Sequence, residues 1–405
     1  MDLQSKLKYY KSQTTGEKKA ERAGDNPALG ALAQHFHGKI INHSAPFLQI
    51  ERRFTLAGFD KQIDHYGKEI ELSFISRGQV DRPFSLSSAL FFDLETTGLA
   101  GGAGTFPFLL GFGWIEMNEL VVRQYFLPDY GREYALFSHL QEHFFPRFER
   151  FISYNGKSYD FPLLKNRFIL NRLHPLFSDW PHIDLLHVVR RIWKDSFYSC
   201  DLGTIEANVL SRFRQNDIPG YYIPQAYFSF IRTGVVHDMV RIIEHNYRDI
   251  VSLAELLHLL EEIEKQPEKL NDKNARLNLA RLAMEQQNEH ILSKLVATFA
   301  PGSNEYNQSR FWLSLLHKKK KKWQEADVIW RELAESATFN INALEEMAKY
   351  SEHILQDHRR ALQITERALR SVSALMELEH DTALSLMEIK HKFEHRRKRL
   401  KGKLA

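Results

Sequence analysis

Two acids separated by one residue, Asp93 and Glu95 in "ALFFDLETTG", close an apolar, β-prone run from Ala89 to Phe92. On a strand, alternate side chains share a face, so both carboxylates project together while Leu94 points the other way. Two like charges beside a sheet are costly unless something positive sits between them. A divalent cation meets that need, and hard oxygen ligands on a rigid strand suit Mg2+ or Mn2+. The plainer account is a strand end at which both acids reach water. A third acid, Asp160 in "YNGKSYDFPLL", falls in the first turn of a helix, after an Asn155-Gly156 turn and with Ser158 as the expected cap. The helix dipole alone would favour an acid there. The fourth, Asp249 in "IIEHNYRDIVSLAELL", lies next to the apolar stripe Ile242, Ile243, Ile250, Leu253 and Leu257. His245 is four residues earlier, one turn away on the same face. A histidine so placed can take a proton from water, although an isolated His–Asp pair is more often a surface contact.

The elements that must position these groups can be read from periodicity. "ALFFDLE", "FPFLLGFGWIE" and "ELVVRQYFLP" predict three consecutive strands. "REYALFSHLQEHFFPRF" predicts a helix, "RFISYN" a strand and "SYDFPLLKNRFILNRL" a helix. "HIDLLHVVRRIW" reads as a strand end plus helix, and the stretch from Val235 to Glu264 as a long amphipathic helix. Strands in series followed by strands alternating with helices define an α/β mixed sheet with flanking helices. Residues 1 to about 45 look polar and weakly patterned, with a flexible start, and "FLQIERRFTL" and "EIELSFI" suggest short strands without an evident job. After "EKQPEKLNDKN" the pattern is wholly helical. Trp323, Ala326, Ile329 and Leu333 recur as His358, Ala361, Ile364 and Ala368, an offset of 35 residues. That is close to the tetratricopeptide period; a plain helical bundle is the alternative. The expected organisation is an N-terminal extension (1–85), an α/β domain (86–265), tetratricopeptide-like helical repeats (271–390) and a basic tail (391–405).

Composition narrows the class. With 405 residues, 43% apolar and 26% charged, the chain has the make-up of an ordinary multidomain globular protein. A single cysteine, Cys200, rules out an internal disulfide and fits a reducing cytoplasm. The N-terminus lacks the apolar core of a signal peptide, and no stretch is apolar enough to span a bilayer, so no membrane partner is expected. The net charge of +4 is uneven: Lys390 to Ala405 carries eight Lys or Arg against one Glu, and the rest of the chain is therefore net negative. Such a segment either contacts nucleic-acid phosphates or is a solvated helix end.

Taken together, the acids and their context resemble the ribonuclease H-like, DEDD-type 3′–5′ exonuclease superfamily, most closely its YprB-type branch. The resemblance spans about residues 87–260 and is carried by "FFDLETTGLAGGAGTFPFLLGFG", "SYNGKSYDFPLL", "DIPGYYIPQAYFSFIRTG" and "EHNYRDIVSL". The third of these holds no catalytic acid and so speaks for the branch. The branch also resembles this chain in having a helical-repeat region after the nuclease domain. The resemblance implies that Asp93, Glu95, Asp160 and Asp249 hold two divalent ions, Mg2+ or Mn2+, for two-metal phosphodiester hydrolysis. In related exonucleases a Tyr four residues, or a His five residues, before the last Asp orients the water. Here Glu244 is five back and His245 four back, so the chain fits neither subtype, and His245 would serve from the tyrosine's place. Tyr247, on another side of the helix, is the weaker candidate.

Other residues carry open readings. Thr97 and Gly98 either allow close approach of a terminal nucleotide or form a simple turn, and Asn155 either contacts substrate or orders its turn. Gly101, Gly102 and Gly104 form a turn between strands, with no Gly-Lys-Ser/Thr to make it a phosphate loop. Asp184 in "HIDLLH" reads as a helix cap or a group behind the site. Tyr154, Tyr159 and Phe161 either stack bases or belong to the core. The expected activity is a metal-dependent nuclease on single-stranded DNA or RNA, with the repeats recruiting a protein partner or substrate. The alternatives are a non-catalytic scaffold of nuclease-like fold and a structure-specific endonuclease. If the basic tail grips substrate, removing residues 390–405 weakens nucleic-acid binding and flattens its salt dependence; an unchanged salt slope excludes the tail.

Overall fold

Asp93 and Glu95 sit on β5 (Ala89–Thr96), an inner strand of a seven-stranded mixed sheet. The computed structural model describes residues 26–42, 44–55, 69–80, 82–98, 104–117, 119–336, 340–378 and 383–405. They divide into two units, residues 1–187 with 201–261 and residues 188–200 with 262–405.

In the first unit the sheet order is β1-β2-β7-β6-β5-β8-β9. Strands β5, β6 (Pro107–Glu116) and β7 (Glu119–Phe126) form an antiparallel meander. Strands β8 (Arg150–Ser153) and β9 (His182–Asp184) then add in parallel on the other side of β5. The segment left without a job has one in the fold. β2 (Phe47–Thr55) pairs along its whole length with β7, and β1 (Lys39–Ile41) pairs with β2, so both extend the same sheet. Residues Pro27–His35, read as weakly patterned, form helix α1, with Asn26 accepting from the Leu29 N–H at 3.1 Å. The expected flexible start, residues 1–25, lies outside the described residues. "EIELSFI" is strand only at β3 (Glu69–Ile70), which pairs with β4 (Phe84–Ser85). It turns helical at Ser73–Ser76 and ends on Arg77 with φ +52°. Three consecutive buried residues, Phe74, Ile75 and Ser76, suit a helical turn rather than the alternation of a strand.

Helices cover both faces. They are α2 (Glu133–His139), α3 (Asp160–Leu170), α4 (Leu185–Trp193), α5 (Leu202–Asn208), α6 (Ile223–Thr233) and α7 (His237–Lys265). One face of the sheet is aromatic: Phe92 meets Phe151 at 4.6 Å between ring centroids, and Phe112 meets Phe144 at 5.0 Å. The face that bears Asp93 is different. Opposite Asp93 and Phe91 on β6 stand Gly111 and Gly113. A Cβ on Gly111 would lie 2.1 Å from Asn246 Oδ1, and one on Gly113 would lie 2.4 Å from Ile250 Cγ2. Asn246 and Ile250 are one turn apart on α7. The two glycines therefore form the bed in which α7 lies, and they bring its acid to the strand that holds the first pair.

The second unit is helical: α8 (Lys273–Glu285), α9 (Glu289–Val296), α10 (Asn304–Lys319), α11 (Trp323–Leu333), α12 (Asn340–His353), α13 (His358–Leu378) and α14 (Ala383–Leu404). α11 and α13 begin 35 residues apart, and Ala326 and Ala361, the small residues shared by the two, are both fully buried. The basic segment 391–405 is part of α14, which buries Phe393 and Leu400. On α12 the buried Glu352 accepts from Arg399 Nε at 3.0 Å, Arg399 Nη2 at 2.7 Å and Lys403 Nζ at 3.1 Å, with Arg396 Nη1 at 3.5 Å. Lys392, Arg397, Lys398 and Lys401 remain exposed.

Burial alone would raise the Glu352 carboxyl, but its bonds from Arg399 and Lys403 hold it down to about 2. A depressed carboxyl stabilises the fold above its unfolded pKa, and that stability is lost as pH falls towards the folded value. Glu352→Gln should therefore cost on the order of 2 kcal/mol at pH 7, with the gap to wild type closing between about pH 4.5 and about pH 2. Urea denaturation at pH 7 and pH 3 reads both values; an equal gap at both contradicts the assignment.

Candidate metal centre

The C-terminal half of β5 delivers Asp93 and Glu95 to one face, and Glu95 is almost fully buried. At the neighbouring strand end, β8 stops at Ser153 and the chain turns at Asn155 with φ +63°, a conformation asparagine tolerates. The turn is tied down from below. Asp184, fully buried at the end of β9, accepts from the Asn155 N–H at 2.8 Å, the Lys157 N–H at 3.2 Å and the Leu186 N–H at 3.1 Å. It thus caps α4 and fixes the Asn155 loop together. Asp160 then opens α3 as its first residue. Ser158 is not the cap: the N-cap position falls on Tyr159 and has no side-chain cap bond, because the loop closes through backbone bonds, Phe161 N–H to Gly156 O at 2.8 Å among them.

These elements bring Asp93, Glu95, Asp160, His245 and Asp249 to the walls of a single cleft of about 430 Å³. Gly98, Thr105, Asn155, Tyr159 and Leu163 line it as well, with Gly220, Ile223 and Pro224 opposite. Ligand atoms of Glu95, His245 and Asp249 lie within 4.8 Å of one another. Thr97 is not part of the lining; its hydroxyl accepts from the Phe106 N–H at 3.0 Å and closes the β5–β6 turn. Of the expected glycine turn, Gly101 and Gly102 lie outside the described residues. Phe161 packs into the aromatic core beside Phe151 and His182, whereas Tyr159 is half-exposed at the cleft.

Further residues, not signalled by the sequence pattern, complete the site. Arg214, from the loop before α6, donates to Asp249 and Glu206, and to Asp217 at 3.1 Å. His245 Nδ1 is 2.8 Å from Asp217 Oδ1, which leaves Nε2 facing Asp249 Oδ2 at 3.5 Å. Glu244, five residues before Asp249, is taken up by Arg52 Nη1 at 2.6 Å. Asn246 donates from Nδ2 to Asp93 Oδ2 at 2.8 Å and to the Asp93 carbonyl at 3.2 Å. Asn246 lies three residues before Asp249, a helical spacing that could have pointed to it. The contacts of Arg214 with Asp249, 35 positions away, and of Asp217 with His245, 28 positions away, start from an irregular loop and had no such signal.

The electrostatics are those of a site short of positive charge. Burial, then the charges of Asp249 and Asp160, push the Asp93 carboxyl well above its ordinary range. Glu95 moves the same way, from burial and then Asp93 and Asp249. Burial raises Asp160 to about 7, and it raises Asp249 against the pull of His245 and Arg214. Burial works against a charged His245, yet the bond to Asp217 and the charge of Asp249 carry its pKa upward. One guanidinium therefore does not neutralise the cluster. The oxygen donors of Glu95 and Asp249, with the His245 imidazole beside them, fit a divalent ion, and Asp93 and Asp160 line the same cleft.

A sequence model of the RNase_H superfamily, RNase_H_2, matches residues 90–261, the span that carries all four acids. The chain is also 33% identical over 302 residues to a protein of Bacillus subtilis (strain 168) described as uncharacterized protein YprB, covering 73% of this chain and 72% of that one. The chain belongs to the ribonuclease H superfamily. Proteins of this fold usually use divalent metals. Among the described residues no helix is long and apolar enough to cross a membrane.

The raised acids set a pH dependence. A carboxyl whose pKa is higher in the fold stabilises it fully below the unfolded value and loses that contribution as pH rises through the folded one. The metal-free protein should lose thermal stability from about pH 4 to above pH 7 through these groups, and Mn2+ should raise the melting temperature more at pH 8 than at pH 5. A Mn2+ effect equal at both pH values contradicts binding by these carboxylates.

Proposed function

We propose that the chain is a metal-dependent nuclease that hydrolyses phosphodiester bonds of single-stranded nucleic acid from the 3′ end. The observation that carries this reading is the convergence of Asp93, Glu95, Asp160, Asp249 and His245 on one cleft from three separate segments of the chain. Asp93, Glu95, Asp160 and Asp249 would hold two divalent ions, Mg2+ or Mn2+. Such ions, when bound, activate water and stabilise the leaving oxygen. His245, with Nδ1 engaged by Asp217, presents Nε2 to accept the water's proton from the place a tyrosine takes in related exonucleases. Asp217 holds that ring, and Asp184 holds the Asn155 turn against which a terminal nucleotide would rest. The half-exposed ring of Tyr159 offers a stacking face there.

One observation favours the scaffold reading. Arg214 already supplies a built-in cation to Asp249, as a protein that binds without cleaving would require. The two readings part on activity. Linear and circular single-stranded DNA and RNA, labelled at either end, are incubated with Mg2+, Mn2+ or chelator. Stepwise shortening from the 3′ end, with circles intact, is expected. Asp93→Asn or Asp249→Asn should lower the rate at least about 100-fold, and His245→Phe by about 10²- to 10⁴-fold. Cleavage of circles makes the enzyme an endonuclease, and a folded protein with no metal-dependent product is a scaffold.

A further inference from the structure

Asp93, Gly111 and Gln124 form one row across three strands, since Gly111 pairs with Asp93 on β5 and with Gln124 on β7. The missing side chain at Gly111 leaves a gap in the row, and the Asn246 side chain from α7 fills it. Gln124 and Asn246 are both fully buried. Gln124 Nε2 donates to Asn246 Oδ1 at 2.8 Å and to the Ile243 carbonyl at 2.8 Å. Its Oε1 accepts from Arg52 Nη2 at 3.0 Å. Arg52 belongs to β2, outside the matched superfamily span, and stands diagonal to Gln124 because Ile50 is Gln124's direct partner. Its guanidinium is held by Glu244 at 2.6 Å and lies 3.6 Å from the Tyr247 ring centroid.

Each amide in this chain has one possible orientation. Arg52 can only donate, so Gln124 must turn its oxygen to β2. The Ile243 carbonyl can only accept, so Gln124 must turn its nitrogen to α7. Asn246 then receives a hydrogen bond at its oxygen and directs its own nitrogen at two acceptors of Asp93, Oδ2 and the backbone carbonyl. Asp93 Oδ1 accepts no hydrogen bond among the described residues. We propose that Arg52 is a positioning residue for Asp93: acting through Gln124, it fixes the Asn246 amide, which pins one carboxylate oxygen and leaves the other for a divalent ion. The N-terminal strand is thereby part of the metal site. The inference rests on the reading of Asp93 as a metal ligand.

The test is Mn2+ binding to the full chain by isothermal titration calorimetry, beside the melting temperature without metal. Arg52→Met should weaken Mn2+ binding about tenfold, in the range found for groups that orient metal ligands, while Arg52→Lys, which can still donate to Gln124, should stay close to wild type. Gln124→Glu keeps an acceptor for Arg52 but has no donor for Asn246, and should weaken binding at least as much. Glu244→Gln keeps an oxygen that accepts from Arg52 while removing the charge, and should leave affinity unchanged. Should Gln124→Glu fail to fold, the Arg52 pair still decides, because that side chain is partly exposed. Arg52→Met with wild-type Mn2+ affinity, while Asp93→Asn abolishes binding, overturns the inference and leaves the metal site standing. Asp93→Asn with wild-type affinity removes the metal-site reading and the inference with it.

Discussion

Crowding of like charge is the constraint around which the first unit is built. Four carboxylates share a cleft, and burial drives each towards its neutral form, helped by neighbouring acids at Asp93, Glu95 and Asp160 and opposed by His245 and Arg214 at Asp249. Such a cluster is unstable unless rigid elements enforce it. The scaffold is accordingly stiff where the acids sit. Asp93 and Glu95 are on an inner strand and pair with Gly111 and Leu109 of β6, Asp160 opens a helix after a loop pinned by Asp184, and Asp249 is on a helix of 29 residues. Strain spread over three separate elements cannot relax by one side chain turning away.

The charge that is present is placed with care. Arg214 serves Asp249, Asp217 and Glu206, and its bonds outweigh the desolvation that burial imposes on it. Asp217 in turn has its carboxyl kept below the ordinary range: burial pushes upward, and the bonds from His245 and Arg214 prevail. The result is a graded set, with Asp217 firmly ionised at the rim and the four cleft acids reluctant to ionise at the centre. The His245 imidazole stands between the two groups.

Much of this could be read from residue order, and the boundary is instructive. The pairing of Asp93 with Glu95, the helix that starts at Asp160 and the His245–Asp249 spacing depend on period two and period 3.6 alone, and those survive in any tertiary setting. The mixed sheet and its flanking helices followed for the same reason. The attachment of β2 to β7 did not, because alternation in "FLQIERRFTL" shows that a strand exists but not which edge receives it. Nor did Arg214, Asn246 or Gln124, whose roles come from contacts across the fold. Ser158 was expected to cap α3 by the usual preference; backbone bonds in the Asn155 turn took its place. The 35-residue offset of the second unit was visible because Ala326 and Ala361 occupy matching, fully buried positions on their helices.

The glycine bed on β6 makes α7 a ruler. Asn246 occupies the gap over Gly111 and Ile250 the gap over Gly113. A single residue inserted in α7 before Asn246 would swing everything after it by about 100° relative to what precedes. Length changes in this region are thus confined to the connection ahead of His237, and the two segments "LLGFGW" and "EHNYRDI" can drift only as a matched lock and key.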